Sequence, residues 1–277
     1  MDFGICSYSF HRLLAAGKQD IFGYIFDCKA LGATQLEPWN GHLAPLKDPA
    51  WAWEAGSDPT HPQLSSKARA YLQRIRQAAQ VAGLPFGCLA VDGAHIYEPA
   101  ADARRANRAV AYVWLGVADI LGARQVRIDA GGPEDMPDDV FRIIVEGYHD
   151  LVARGQQQGV EILMENHWGP SKIPENVVKI MDAVEGLGLL FDTGNWAPGK
   201  HEQGWRTCAH YARATHVKTF SFDDQGYEST VDIPKAMRIV LDAGYEGPWG
   251  IESCPLQDDE YTGVKKTIAL MKRVLGE

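Results

Sequence analysis

The chain has 277 residues, 45% of them hydrophobic, with a formal net charge of −9. That length suits one α/β barrel or two smaller domains, and the apolar share is ample for a large core. Phosphate contacts need clustered Lys and Arg, and no basic run exists, so nucleic acid is not an expected partner.

No apolar run approaches the roughly 20 residues of a membrane helix, so no membrane partner is expected either. The N-terminal stretch MDFGICSYSF pairs no basic segment with a long apolar core, so no secretory signal is expected. The five cysteines, Cys6, Cys28, Cys88, Cys208 and Cys254, are odd in number and lack a C-x-x-C pair. Reduced thiols in a cytoplasmic protein fit that usage better than a disulfide framework. Cys6, Cys88 and Cys254 lie in or beside apolar strand candidates and read as small buried hydrophobes.

In chain order, the first strand covers about Phe3 to Ser7, and the loop YSFHRLL follows. The first helix spans roughly Asp20 to Leu31. The second strand is TQLEPW, with Glu37 at its tip. A long loop, NGHLAPLKDPAWAWEAGSDPTHP, carries Trp51 and Trp53 and reads as a functional cover. The second helix runs from about Gln63 to Ala82. The third strand, FGCLAV, is tipped by Asp92. A helix from about Ala101 to Leu121 leads to the fourth strand, RQVRIDA, where period-two alternation puts Arg127 and Asp129 on one face.

A helix from about Asp138 to Gln157 precedes the fifth strand, EILMEN. The next helix starts near Pro174, a favoured first-turn residue, and ends near Gly186. The sixth strand is GLLFD. A short helix near Gly204 to Ala212 leads to the seventh strand, THVKTF. A helix from Ile233 to Ala243, an eighth strand PWGIE, and a last helix from Tyr261 to Leu275 complete the series. Helix, glycine, strand and polar tip recur along the chain, and Gly after the last helical turn is the common left-handed cap. Repeated βα units imply a parallel sheet. Eight of them predict a (β/α)8 TIM barrel of class α/β, read as a single domain over residues 1–277.

In such a barrel the site lies at the C-terminal ends of the strands. Glu165, Asp192, His216 and Glu252 sit at the tips of strands five to eight, each about one βα unit from the next. A lone acid at a strand tip could simply cap the following helix. Four successive tips with ligand-type residues point instead to one centre. Three converging carboxylates without a cation would repel and raise their pKa values. Oxygen-rich ligation with one imidazole suits Mn²⁺, Mg²⁺, Co²⁺ or Zn²⁺ and does not choose among them.

Around these four, His167 lies two residues past Glu165 and is either a proton donor to the same cavity or a loop histidine bonded to backbone. Glu37, Asp92, Arg127 and Asp129 either line the pocket or pair structurally, Arg127 being an obvious ion-pair partner. Trp39, Trp168 and Trp196 follow strand tips, where aromatic faces could stack on a sugar or simply pack. His11, His42 and His95 are loop histidines that could touch a ligand. His61, His149, His201 and His210 read as surface or helix residues.

The segments ILMENH, LLFDTGN, ATHVKTF and GIES resemble the xylose isomerase-like TIM barrels, nearest to the ketose 3-epimerase and hydroxypyruvate isomerase branch. The resemblance covers essentially the whole chain. It implies one divalent ion, Mn²⁺ as the first expectation, held by Glu165, Asp192, His216 and Glu252. It further implies that Glu165 and Glu252 act as acid and base beside a carbonyl. Two positions depart from the family. Asn195 stands where a substrate-contacting histidine often follows strand six. The arginine found past the strand-seven histidine is absent, and Lys218 is the residue placed to substitute for it.

The resemblance thus implies a metal-dependent isomerase or epimerase of a keto-sugar or related polyhydroxy carbonyl. The proposed contacts are Glu165 and Glu252 as catalytic groups, with His167, Asn195, Lys218, Glu37, Asp92, Arg127, Trp39 and Trp196 around the substrate. The departures keep open a lyase, dehydratase or hydratase acting on keto-sugars or their glycosides. An apurinic-site endonuclease is a remote alternative, because its relatives carry more histidines and a basic groove. A non-catalytic sugar-binding or partner subunit is also open, as is oligomeric state, a homo-oligomer included. The charge argument predicts no retention of an abasic DNA duplex at physiological salt. Tight binding followed by strand cleavage in a gel assay would overturn the sugar reading.

Overall fold

Eight short strands, all parallel, form one sheet that curls until its two edges meet. A computed structural model describes residues 1–277. The strands are β1 Phe3–Cys6, β2 Gln35–Glu37, β3 Cys88–Val91, β4 Gln125–Ile128, β5 Glu161–Glu165, β6 Gly188–Asp192, β7 Ala212–Thr219 and β8 Trp249–Ser253. Their order, β2-β1-β8-β7-β6-β5-β4-β3, is that of a barrel unrolled between β2 and β3. The seam closes through two isolated parallel bridges, Leu36 with Phe86 and Trp39 with Ala90. Pairing is sparse there because Pro38 and Pro85 have no N–H to donate. Their carbonyls still accept, from Ala90 at 2.9 Å and Leu36 at 2.8 Å.

Ten helices follow the chain: α1 His11–Ala15, α2 Ile21–Ala30, α3 Pro49–Ala52, α4 Ser66–Ala82, α5 Ala101–Leu121, α6 Asp138–Gln158, α7 Pro174–Ala183, α8 His201–Cys208, α9 Ile233–Asp242 and α10 Glu260–Leu275. Side-chain caps fix several starts. Asp20, Ser65, Asp232 and Asp259 accept first-turn N–H groups of α2, α4, α9 and α10, which satisfies otherwise orphaned donors. The Ser65 cap explains why α4 begins at Ser66, three residues after the start expected from sequence. Left-handed glycines, Gly83, Gly122 and Gly159, end α4, α5 and α6 as the repeated helix-glycine-strand pattern predicts. α7 stops at Ala183, short of Gly186, because Val184 is already extended. The long cover after β2 is not irregular throughout. It holds a 3-10 segment at Asn40–Lys47 and α3, and Trp53 pairs with Leu64 to pin its far end. No helix is long and apolar enough to cross a membrane. All five cysteines are free thiols.

Most of the core fills the space between the barrel and its helices. A second, small cluster of Cys88, Leu163, Leu190 and Ala214 comes from β3, β5, β6 and β7. These side chains form an apolar layer inside the barrel. Two residues further along each strand, alternation brings the next inward-facing side chain: Ala90, Glu165, Asp192 and His216. A register shift opposite Leu189 and Leu190 leaves Arg213 of β7 unpaired in the ladder, and this keeps Ala214 level with Leu190 and His216 level with Asp192. The inner layer has glycine where space runs out. A Cβ on Gly250 would lie 1.9 Å from the Thr215 carbonyl oxygen and 2.6 Å from Glu37 Oε2.

Gly250→Ala is therefore expected to cost about 3 kcal/mol or more, since the clash is with backbone in a filled barrel. Gly159→Ala meets nothing within 4 Å and should carry only the positive-φ cost of about 1–2 kcal/mol. Urea unfolding of both variants checks the ranking; equal losses would contradict the crowding argument.

Candidate metal centre

Glu165 and Asp192 end β5 and β6, Glu252 is next to last in β8, His216 lies inside β7, and one donor atom from each lies within 4.8 Å of the other three. All four are buried, none more than 7% exposed. His216 Nδ1 is 3.4 Å from Glu165 Oε1 and 3.1 Å from Glu252 Oε2. Asp192 is locked in place by a reciprocal pair: Asn166 Nδ2 donates to its carbonyl at 2.8 Å, and its N–H donates to Asn166 Oδ1 at 2.9 Å. Asp192 Oδ1 accepts from the N–H groups of Gly194 and Asn195, at 2.6 and 2.9 Å. Its other oxygen, Oδ2, has no hydrogen-bond partner, nor has His216 Nδ1. Buried polar atoms are almost always satisfied. Orphans in an oxygen-rich set with one imidazole fit a divalent cation.

The Asp192 carboxyl supports the same reading, while Glu252 and His216 are charge-paired within the protein. Burial pushes the Asp192 carboxyl up to about 7; Lys218 opposes the rise, and Glu252 and Glu165 reinforce it. Burial also works against ionised Glu252, but the Lys218 ammonium and His216 hold its pKa well below the usual carboxylate range. The Lys218 Nζ sits 2.8 Å from Glu252 Oε1. Burial likewise disfavours charge on His216, yet Cys6 and the carboxylates of Glu165 and Glu252 raise its pKa well above the ordinary value.

Glu165, His216 and Glu252 form one wall of a cavity of about 140 Å³, and Asp192 lies behind that wall. The remaining lining is Cys6, Tyr8, Trp39, Ala90, Asp92, Arg127, His167 and Lys218. Of the residues singled out in the sequence, His167, Lys218, Asp92, Arg127 and Trp39 thus face the same space as Glu165, His216 and Glu252. His167 Nδ1 is 3.3 Å from Asp129 Oδ2, and Glu165 and Asp129 outweigh burial to bring its pKa up to about 9. Asp129 is itself held at about 2, against the effect of burial, by Arg127, His167 and Trp168. Trp39 donates from Nε1 to Asp92 Oδ2 at 2.6 Å.

Three expected contacts are placed differently. Glu37 is buried below the cavity rather than lining it, because its inward position falls one layer deeper. Gln35 donates to its Oε1 at 2.7 Å, and its Oε2 stands 4.0 Å from His216 Nε2. It backs the imidazole, as a carboxylate behind a metal-binding histidine does. Asn195 is not part of the cavity wall; its Nδ2 donates to Glu165 Oε1 at 3.3 Å, so it braces a candidate ligand. Trp196 is 3% exposed and packs against Phe191, with ring centroids 5.9 Å apart. The chain turns back after Gly194, so this indole joins the core instead of a sugar face. His11, His42 and His95 do not line the cavity; they bond to Tyr8, Gln19 and Glu98.

Tyr8 and Asn166 escaped the sequence reading, and Cys6, read as a small buried hydrophobe, is buried but also lines the cavity. Alternation from Gly4 through Cys6 to Tyr8 would have found Tyr8 and the inward face of Cys6. Asn166 points sideways to β6, where strand periodicity gives no signal.

The comparisons bear on this geometry. The zinc-bound IolI protein superposes with a TM-score of 0.75 at 13% identity, covering 100% of this chain and 98% of its own. D-psicose 3-epimerase from Clostridium cellulolyticum H10, solved with D-tagatose, gives 0.73 at 13% identity and 99% coverage of both chains. The probable 3-DHS dehydratase AsbF of Bacillus anthracis, involved in petrobactin synthesis, gives 0.71 at 12% identity, covering 99% of this chain and 100% of its own. At such identities the likeness establishes the fold. No curated protein matches the chain in sequence. The model of one family, however, matches residues 25–274. The chain therefore belongs to the xylose isomerase-like TIM barrel family.

Proposed function

We propose that the protein is a metal-dependent enzyme that isomerises or epimerises a keto-sugar or related polyhydroxy carbonyl. The observation that carries this reading is the placement of two buried glutamates, Glu165 and Glu252, both against Nδ1 of His216 in one polar cavity. A divalent ion held by Glu165, Asp192, His216 and Glu252, Mn²⁺ in the first instance and otherwise Mg²⁺, Co²⁺ or Zn²⁺, would polarise the carbonyl and stabilise negative charge on its oxygen.

The chain's own groups supply the rest. Glu165 and Glu252 project from strands five and eight, so a substrate in the cavity has a carboxylate on each side. One removes the proton next to the carbonyl and the other returns one to the opposite face or the neighbouring carbon, help typically of about 10²–10⁴-fold. The two are not equivalent. Glu252 is paired with Lys218, whose ammonium can donate to a substrate oxygen beside it. Glu165 is braced by Asn195 and Arg127. Trp39 and Tyr8 offer aromatic faces to the apolar side of a sugar. The likeness to an epimerase bound to D-tagatose supports a small carbohydrate substrate.

One observation favours a second reading, in which a β-leaving group departs after the first proton transfer. His167 lines the cavity with Nδ1 held by Asp129, so Nε2 is the ring nitrogen left to protonate a departing hydroxyl. A dehydratase of the same fold supports it. Product mass separates the two, because isomers keep the mass of the substrate and dehydration loses water.

Two measurements test the proposal. Purified protein should carry one divalent ion, and Asp192→Ala should lose most of it; equal metal content by plasma mass spectrometry would sink the ligand assignment. Glu165→Gln and Glu252→Gln should each retain more metal than Asp192→Ala while slowing exchange of substrate C–H into D₂O by about 10²-fold or more. Wild-type exchange in both variants would hand the proton to His167 or Lys218.

A further inference from the structure

A second group at the barrel mouth has the composition of a cation site. One donor atom each from Asp129, Glu165 and His167 lies within 4.8 Å of the others. Glu165 belongs to both groups, and its two oxygens are divided between them. Oε1 faces His216 and Asn195, at 3.4 and 3.3 Å. Oε2 lies 2.9 Å from Arg127 Nε. The same guanidinium reaches Asp92 Oδ1 and Asp129 Oδ2, both at 2.9 Å. Arg127 is 4% exposed. Carboxylates from the ends of β3, β4 and β5 thus converge on one buried, permanent positive charge.

We propose that Arg127 is a built-in cation that fills this second group, limits the centre to a single metal ion and positions Glu165. The inference rests on the metal-centre reading above. Its physical content is a competition for one space. Two carboxylates and an imidazole, with the Asp92 carboxylate on the same guanidinium, are an oxygen-rich donor set of the kind that takes a divalent ion. Left without a cation they would repel one another in a buried setting. A guanidinium is charged at every working pH and its planar fork serves several carboxylates at once, so it neutralises charge in the group without metal, by ion pairing at Glu165 rather than by a hydrogen bond. It also withholds Oε2 of Glu165, which leaves Oε1 as the oxygen offered to His216 and the cavity. Arg127 acts here as a positioning residue, through Glu165.

The test counts Mn²⁺ bound to the wild-type protein, Arg127→Gln and Arg127→Lys, by native mass spectrometry and by electron paramagnetic resonance. Wild type and Arg127→Lys should bind one ion. Arg127→Gln should bind two, the second at least tenfold more weakly, with the exchange-coupled signal of two ions sharing the Glu165 carboxylate. Adding Asp129→Asn to Arg127→Gln should return the count to one. Arg127→Met, neutral and of similar length, makes the same test should the Gln variant not fold. A single ion bound with wild-type affinity in the neutral variants overturns the inference alone, as does a second ion in the wild type. Wild type that binds no Mn²⁺ overturns both the inference and the metal centre.

Discussion

The inside of this barrel buries more carboxyl groups than it has cationic side chains to pair with them. Glu37, Asp129, Glu165, Asp192 and Glu252 are each 7% exposed or less. Against them stand Arg127, Lys218 and His216, equally buried. Burying an ion costs several kcal/mol unless a partner and hydrogen bonds compensate. The protein meets that cost unevenly. Asp129 is served by Arg127, His167 and Trp168, and Glu252 by Lys218. Asp192, like Glu37, Asp129 and Glu165, keeps one oxygen without a hydrogen-bond partner, and its carboxyl is pushed up to about 7. Glu165, Asp192, His216 and Glu252 meet at one place in this buried group, where they could hold a metal ion.

The fold makes this concentration possible. Alternation along parallel strands sends every second side chain inward, and the apolar layer of Cys88, Leu163, Leu190 and Ala214 seals the barrel below the charged one. Glycines at positions 4 and 250 leave room for the Glu37 side chain, whose atoms a Cβ at either site would meet at 2.6 Å. That carboxylate sits behind His216 and so belongs to the support of the centre. Loops after β5 and β6 add the remaining braces, since Asn166 joins the two tips and Asn195 reaches back to Glu165. Each candidate ligand therefore has its orientation set by a neighbour on another strand.

Much of this was readable from the chain. Apolar runs ending on Glu165, Asp192 and Glu252, each preceded by a helix and a glycine, together with the strand that carries His216, specify strands, direction and the end of the barrel that carries the site. Period two also predicts that Arg127 and Asp129 share a face. What strand periodicity does not encode is depth and lateral reach. Glu37 and Trp39 are both inward positions of one strand, yet the first lies below the cavity and the second on its wall. Trp196 follows a tip like Trp39, but a turn after Gly194 sends it into the core against Phe191. The triple pairing of Arg127 depends on side-chain reach across three strands, which no local pattern records. Tyr8 was missed because the loop after β1 was not carried forward in the strand's own alternation.

Anomalous diffraction from crystals grown with Mn²⁺ tests the charge balance most directly. The expected result is a single anomalous peak at the meeting point of the four strand tips, within about 2.0–2.3 Å of an atom of Glu165, Asp192, His216 and Glu252. A well-ordered cavity without that peak, with Mn²⁺ bound elsewhere on the molecule, would contradict it.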